Sequence, residues 1–286
     1  MPQITLTECP RDAMQGIKTF IPTHLKADYL NALLQVGFDI LDFGSFVSPQ
    51  AIPQLSDTAE VLRLLQPSHT KLLAIVANLR GAQEAAMHDQ IDFLGFPFSV
   101  SPTFQLRNTN ATPEQALERI TQIQTLCIQK NKQLVVYLGM AFGNPYHDDY
   151  NAETIHNWTE KLVNLGIKRL LFADTIGVSD AQSIEFLYKN IVPMYPNVDF
   201  GVHLHSTPHT SATKIEASYH AGCQWFDAAL LGYGGCPMAT DALTGNVATE
   251  VLVQFLQKEQ AISTHFNPKA LEIAIQKAQQ LFGHYH

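Results

Sequence analysis

A chain of 286 residues that is 46% hydrophobic and 15% charged can bury a large core, and its net charge of −8 without a dense Lys/Arg run argues against a nucleic-acid or anionic-membrane surface. Four cysteines (Cys9, Cys127, Cys223, Cys236) lie far apart and lack zinc-finger spacing, as reduced thiols in a cytoplasmic protein would. No apolar run is long enough to cross a bilayer, and the strand-like opening from Pro2 to Thr7 leaves no room for a targeting segment, so no membrane partner is expected.

Runs rich in Val, Ile, Leu and Phe recur at residues 4–9, 38–43, 71–76, 93–98, 134–138, 169–174, 199–205 and 225–231. Between them the apolar spacing is helical. Residues 113–130 carry Leu117, Ile120, Ile123, Leu126 and Cys127, after a Thr112-Pro113 helix start; residues 152–165 carry Ile155, Trp158, Leu162 and Leu165. Strand and helix alternating eight times predict the α/β class and a (β/α)8 TIM barrel, with residues 1–286 as a single domain. Residues 267–282, with Leu271, Ile275, Ala278 and Leu281, predict an added C-terminal helix.

In such a barrel the chemistry sits at the C-terminal ends of the strands. Strand seven contains His203 and His205, which must share a face because successive strand side chains alternate. Strand one leads into Arg11 and Asp12, strand two ends near Asp42, and strand six ends in Asp174 and Thr175. Asp12, His203 and His205 form a mixed oxygen and nitrogen set, with the Asn246 amide oxygen as a possible fourth donor; such a set suits Mg²⁺ or Mn²⁺ better than a structural zinc. Arg11 would place a fixed guanidinium beside the ion, where a developing oxyanion needs charge. Three glycines in the four residues 232–235 precede Cys236-Pro237, a loop able to move a thiol over substrate as general acid or base. The plain alternatives are unrelated histidines on a half-exposed strand, an Arg11 that only braces the rim, and an inert thiol.

Several motifs carry a resemblance. Pro10-Arg11-Asp12 with Gln15 and Lys18, Ser45-Phe46-Val47-Ser48-Pro49, Asp174-Thr175-Ile176-Gly177-Val178, Val202-His203-Leu204-His205, Gly234-Gly235-Cys236-Pro237 and Gly245-Asn246-Val247-Ala248-Thr249-Glu250 together resemble the 3-hydroxy-3-methylglutaryl-CoA lyase family, nearly end to end. The resemblance implies a divalent cation (Mg²⁺ or Mn²⁺) on Asp12, His203, His205 and Asn246, and a catalytic role for Arg11 at the enolate of the departing acetyl thioester. It implies catalytic roles also for Cys236 on a mobile loop, Asp42 as base and Asp174 near the reacting carbons, with Gln15, Lys18 and Thr175 binding substrate. It implies an acyl-CoA substrate, a homodimer and a place in leucine degradation.

The chain departs from the family at informative places. Asp42 stands where the lyases have a catalytic glutamate, and Phe43-Gly44 follows where they have small or hydroxylated residues, so two expectations compete: a base weakened by its shorter side chain, or a pocket reshaped by the Phe43 ring for a different acyl group. Ser206 replaces an aspartate, Pro208-His209 a Tyr-Gly pair, Ala13 a glycine, and Asn144 a common cysteine. Two alternatives therefore stand beside cleavage of the methylglutaryl ester: an aldolase or Claisen-type synthase of the superfamily acting on another hydroxy acid, and a lyase-derived binding protein without catalysis.

Overall fold

The computed structural model of the chain describes residues 4–236 and 244–285; Pro2 and Gln3 of the first predicted strand and Pro237 of the glycine loop lie outside them. In chain order the elements are β1 Thr5–Glu8, α1 Pro10–Gln15, α2 Thr23–Leu34, β2 Ile40–Ser45, α3 Thr58–Leu64, β3 Lys71–Ile75, α4 Leu79–Ala85, β4 Ile91–Ser99, α5 Pro102–Thr109, α6 Pro113–Gln129 and β5 Gln133–Gly139. There follow α7 Ala152–Asn164, β6 Arg169–Asp174, α8 Ala181–Asn190, β7 Asp199–Ser206, α9 Ser211–His220, β8 Trp225–Ala228, β9 Gly245–Asn246, α10 Thr249–Lys258 and α11 Pro268–Tyr285.

Strands β1 to β8 pair in parallel in sequence order, and β8 returns to β1 through Thr5↔Trp225 and Glu8↔Ala228, which closes the TIM barrel and removes every edge but short ones. Most strands differ from their predicted bounds by a residue or two, and β2 and β8 shift furthest, for local reasons. β2 starts at Ile40 because Gly37, at φ +88°, is still turning the chain off α2; β8 ends at Ala228 because Leu231 lies in the left-handed region at φ +62°. The Thr112 start of α6 is a reciprocal cap, with Thr112 Oγ1 accepting from the Gln115 amide and Gln115 Oε1 accepting from the Thr112 amide.

Strand alternation divides the apolar residues into two cores. Ile40, Leu73, Ile75, Phe93, Val135, Tyr137, Leu171 and Trp225 fill the barrel interior, while Leu6, Leu41, Leu170, Phe172, Val202 and Leu204 face the helices. The same parity sends His203 and His205 inward and Asp174 outward. Phe43 belongs to the helix-facing core and is 2% exposed, at a register shift between Asp42 and Gly44. Its ring therefore does not line the pocket, and the expectation that it reshapes the acyl site is corrected: alternation along β2 sends Ile40 and Asp42 inward and Leu41 and Phe43 outward.

The added C-terminal helix is present. α11 packs along α2, and its Phe282 is fully buried between Tyr29, edge-on at 5.8 Å, and Tyr233, at 4.4 Å, where burying such a ring contributes roughly 1.5–3 kcal/mol. Among the described residues no helix is long and apolar enough to cross a membrane.

Candidate active site

Arg11 organises the C-terminal mouth of the barrel. It is nearly buried on the short helix α1, and its guanidinium spends four bonds there: Nε and Nη2 on Asp42 Oδ2 at 2.9 and 2.6 Å, and Nη1 on Asp12 Oδ1 and Gln15 Oε1, both at 2.9 Å. A buried guanidinium needs such partners, because an unpaired one would cost several kcal/mol of solvation. The two carboxylates respond differently. Burial would raise Asp12, but Arg11, His203, His205 and a hydrogen bond from Asn246 hold it well below the usual carboxylate range. At Asp42 burial prevails over Arg11, and the carboxyl is pushed up to about 6.

Asp12, His203 and His205 bring one ligand atom each to within 4.8 Å of one another. Each imidazole is oriented from behind. His203 Nδ1 meets Asp227 Oδ2 at 3.1 Å, and His205 Nδ1 meets the Thr175 carbonyl at 2.9 Å, where a carbonyl can only accept, so His205 Nε2 carries a lone pair toward the cluster. That Nε2 is buried and has no partner among the described residues, the state expected of a nitrogen awaiting a ligand. Burial works against a charge on both rings. Asp227 and Asp12 outweigh it at His203 and raise that group, whereas at His205 burial and the neighbouring His203 keep the ring below its ordinary value and neutral. A low carboxylate, a neutral imidazole and an unpartnered nitrogen fit a divalent cation.

Cys9, His203 and Asp227 also approach one another, but burial and then Asp227 and Asp42 push the Cys9 thiol far up, so it offers no thiolate. Asn246 reaches the cluster through β9, which pairs antiparallel with β7 and sets Asn246 opposite His205. Its Nδ2 donates to Asp12 Oδ2 at 2.7 Å and to the Tyr233 carbonyl at 2.8 Å, so the nitrogen and not the oxygen faces Asp12. Gly234, at φ +93°, passes directly over this pair: a Cβ there would lie 2.6 Å from Asn246 Nδ2 and 2.9 Å from Asp12 Oδ2. Cys236, two residues on, is half-buried at the end of the described loop.

The remaining predicted residues are placed unequally. Thr175 Oγ1 accepts from the Met140 amide at 2.9 Å, so Thr175 braces the rim as well as His205. Lys18 stands exposed beyond α1. Asp174, expected near the reacting carbons, is turned into the helix layer, where its two oxygens accept from the Val178 and Ser179 amides, Ser179 Oγ at 2.6 Å and Lys214 Nζ at 2.7 Å. Sequence reading passed over Asp227 and Lys214. Asp227 had a signal, since it falls on the inward parity of β8 two residues after Trp225; Lys214 had none, as one cation on an amphipathic helix.

Residues 3–277 match the HMGL-like family model. The chain belongs to the HMGL-like family. Its relatives include the 3-hydroxy-3-isohexenylglutaryl-CoA/hydroxymethylglutaryl-CoA lyase of Pseudomonas aeruginosa, 31% identical over 248 residues, 86% of this chain and 82% of the relative. Among solved structures, the HMG-CoA lyase of Bacillus subtilis superposes with a TM-score of 0.91 at 28% identity, over 99% of this chain and 96% of that one. The HMG-CoA lyase of Acinetobacter baumannii, in complex with coenzyme A and 3-methylmalate, superposes with a TM-score of 0.88 at 30% identity, over 98% and 92%. HMGL-like proteins of this kind are carbon–carbon lyases of the oxo-acid type and depend on divalent metal.

Proposed function

We propose that this HMGL-like enzyme cleaves 3-hydroxy-3-methylglutaryl-CoA, or a close 3-hydroxyacyl-CoA, to acetyl-CoA and a 3-oxo acid, acetoacetate for the methylglutaryl ester, with Mg²⁺ or Mn²⁺ as cofactor. The observation that carries this reading is the buried Asp12, His203 and His205 set, with its unpartnered Nε2, beside the fixed guanidinium of Arg11. Asp12, His203 and His205 would hold the ion, and Asn246 would join them by presenting its amide oxygen. When bound, a divalent cation supplies Lewis acidity toward the hydroxyl and carboxylate of such a substrate.

The chain's own residues supply the rest. Arg11 sets positive charge where the thioester oxygen becomes an enolate, and its bonds to Asp12 and Asp42 keep it there. Asp42 Oδ1 is buried and unpartnered among the described residues, and burial raises the group to about 6, so it can take up the hydroxyl proton near neutral pH. As that proton leaves, the carbon–carbon bond breaks, its electron pair passes to the thioester as the enolate, and the hydroxyl carbon becomes the ketone. Cys236 on the glycine loop then donates a proton to the enolate carbon. Gln15, Thr175 and the exposed Lys18 would steady the acyl-CoA. On the family likeness the protein is a single-domain cytoplasmic homodimer of leucine degradation; sedimentation tests the assembly.

The direct test strips the purified protein of metal, restores Mg²⁺ or Mn²⁺, and follows acetyl-CoA release from a panel that includes the methylglutaryl and isohexenylglutaryl esters. Metal-dependent release from a member of the panel is expected; release that ignores metal, or none from any ester, overturns the reading.

A further inference from the structure

His205 hangs from the loop that follows β6 by its ring and, through one lysine, by its backbone. Lys214 on α9 is 3% exposed, and its ammonium spends all three N–H donors: on Asp174 Oδ2 at 2.7 Å, on the His205 carbonyl at 2.8 Å and on the Gly177 carbonyl at 3.0 Å. The other end of His205 is tied to the same loop, since its Nδ1 bonds the Thr175 carbonyl, two residues before Gly177. Asp174 completes the frame by accepting from the Val178 and Ser179 amides and from Ser179 Oγ. Gly177 itself, at φ +75°, leaves no room for a side chain, as a Cβ there would lie 2.7 Å from Thr244 Cγ2, next to the strand that brings Asn246 to the cluster.

We infer that Lys214, with Asp174 as its counter-ion, is a positioning residue that fixes the orientation of His205 Nε2 from the helix layer. Neither group faces the barrel interior, so neither touches substrate; they act through the Thr175–Ser179 loop and the His205 backbone. A buried ammonium with every donor used has one low-energy position, which converts a flexible side chain into a rigid three-way tie. The inference rests on the metal reading of the Asp12, His203 and His205 set. Loss of partners that orient a metal-binding histidine lowers metal affinity by about 10–100-fold.

The test measures Mn²⁺ affinity of the metal-free protein by calorimetry, together with melting temperature, in the natural chain, in Lys214→Met/Asp174→Asn, which removes both buried charges at once, and in Ser179→Ala, which trims a single bond and keeps the ion pair. The double variant is expected to lose roughly 10–100-fold in Mn²⁺ affinity while still melting cooperatively, and Ser179→Ala to lose on the order of threefold to tenfold with the melting temperature nearly unchanged. A merely structural tie would move the melting temperature and leave Mn²⁺ affinity alone, and that result in either folded variant overturns the inference. If the double variant does not fold, Ser179→Ala decides the matter alone. Failure of the natural chain to bind Mn²⁺ would instead sink the metal reading, and the inference with it.

Discussion

The two mouths of the barrel carry similar residue types to opposite ends. At the N-terminal mouth a cavity of about 1200 Å³ opens beneath Phe93 and Trp225, with Lys71 and Arg169 on the face of Phe93 at 6.0 and 5.7 Å. Its charges are loosely paired and partly in water: Lys71 with Asp92 at 3.8 Å, Arg169 with Asp199 at 3.6 Å. At the C-terminal mouth the charges are buried and joined at 2.6 to 2.9 Å, and four inward-facing groups, His205 Nε2, Asp42 Oδ1, Asp227 Oδ1 and Tyr137 Oη, have no partner among the described residues. The charges of the N-terminal mouth reach solvent and those of the C-terminal mouth are buried, so incomplete polar bonding and not empty volume marks the C-terminal mouth as the place for a ligand.

Four changes would break or sharpen this contrast, the largest at the C-terminal mouth. His205→Ala removes a donor of the metal set, so metal affinity and turnover should both collapse while circular dichroism keeps the barrel signal; full metal occupancy measured in that variant would end the assignment. Cys236→Ala should lower turnover by roughly two to four orders of magnitude with little change in substrate affinity, the range for a lost acid or base, read from steady-state kinetics with chemistry shown to be rate-limiting.

Asp42→Glu comes next. The longer carboxylate would reach roughly 1 to 1.5 Å further, and a misplacement of about 1 Å can cost on the order of a hundredfold. A gain in acetyl-CoA release from the methylglutaryl ester would show a base working at the limit of its reach. A loss on that ester, with Arg11 displaced from its bond to Asp42, would show that the shorter side chain suits this pocket. At the N-terminal mouth Asp199→Ala should change stability by less than about 0.5 kcal/mol and leave turnover unaltered, since the pair it breaks is long and its Asp199 end is largely exposed. A large effect on either measurement would mean that the N-terminal cavity is more than a scaffold feature.

Much of this contrast was legible before any coordinates. Alternation along β7 alone sets His203 and His205 on one inward face, and the strand ends bring Arg11, Asp12 and Asp42 to the same rim. The rest was hidden for physical reasons. Asp174 closes β6 and Asp42 lies inside β2, both on the C-terminal side of the barrel, but the parity of Asp174 points outward, and a motif match does not carry parity. Asn246 arrives on a two-residue strand, too short for any period, and Phe43, which alternation from Ile40 already turns outward, was read by motif position and not by parity.

Glu8 offers the smallest and most separable effect. It is fully buried on the helix side of β1, where it accepts from the Leu230 amide at 2.8 Å and from Thr249 Oγ1, and burial pushes its carboxyl up to about 8. Because the folded value lies above the unfolded one, near 4.5, its contribution to stability is whole at low pH and is lost as pH rises through 8. Glu8→Gln should therefore flatten the fall in melting temperature between about pH 5 and 8, and an unchanged slope would mean that another group titrates there.

The stacking of Phe282 on Tyr233 has a consequence for how such a protein can be altered. Tyr233 accepts the Asn246 amide through its carbonyl and leans its ring on the last helix, so residues near the end of the chain and residues at the lip of the reaction site share one contact. Libraries that randomise the glycine loop alone would sample only those solutions that the existing tail tolerates. Beneficial changes at positions 232–236 should thus show epistasis with positions 278–282, and selection for a new acyl group would progress further when both segments are diversified together.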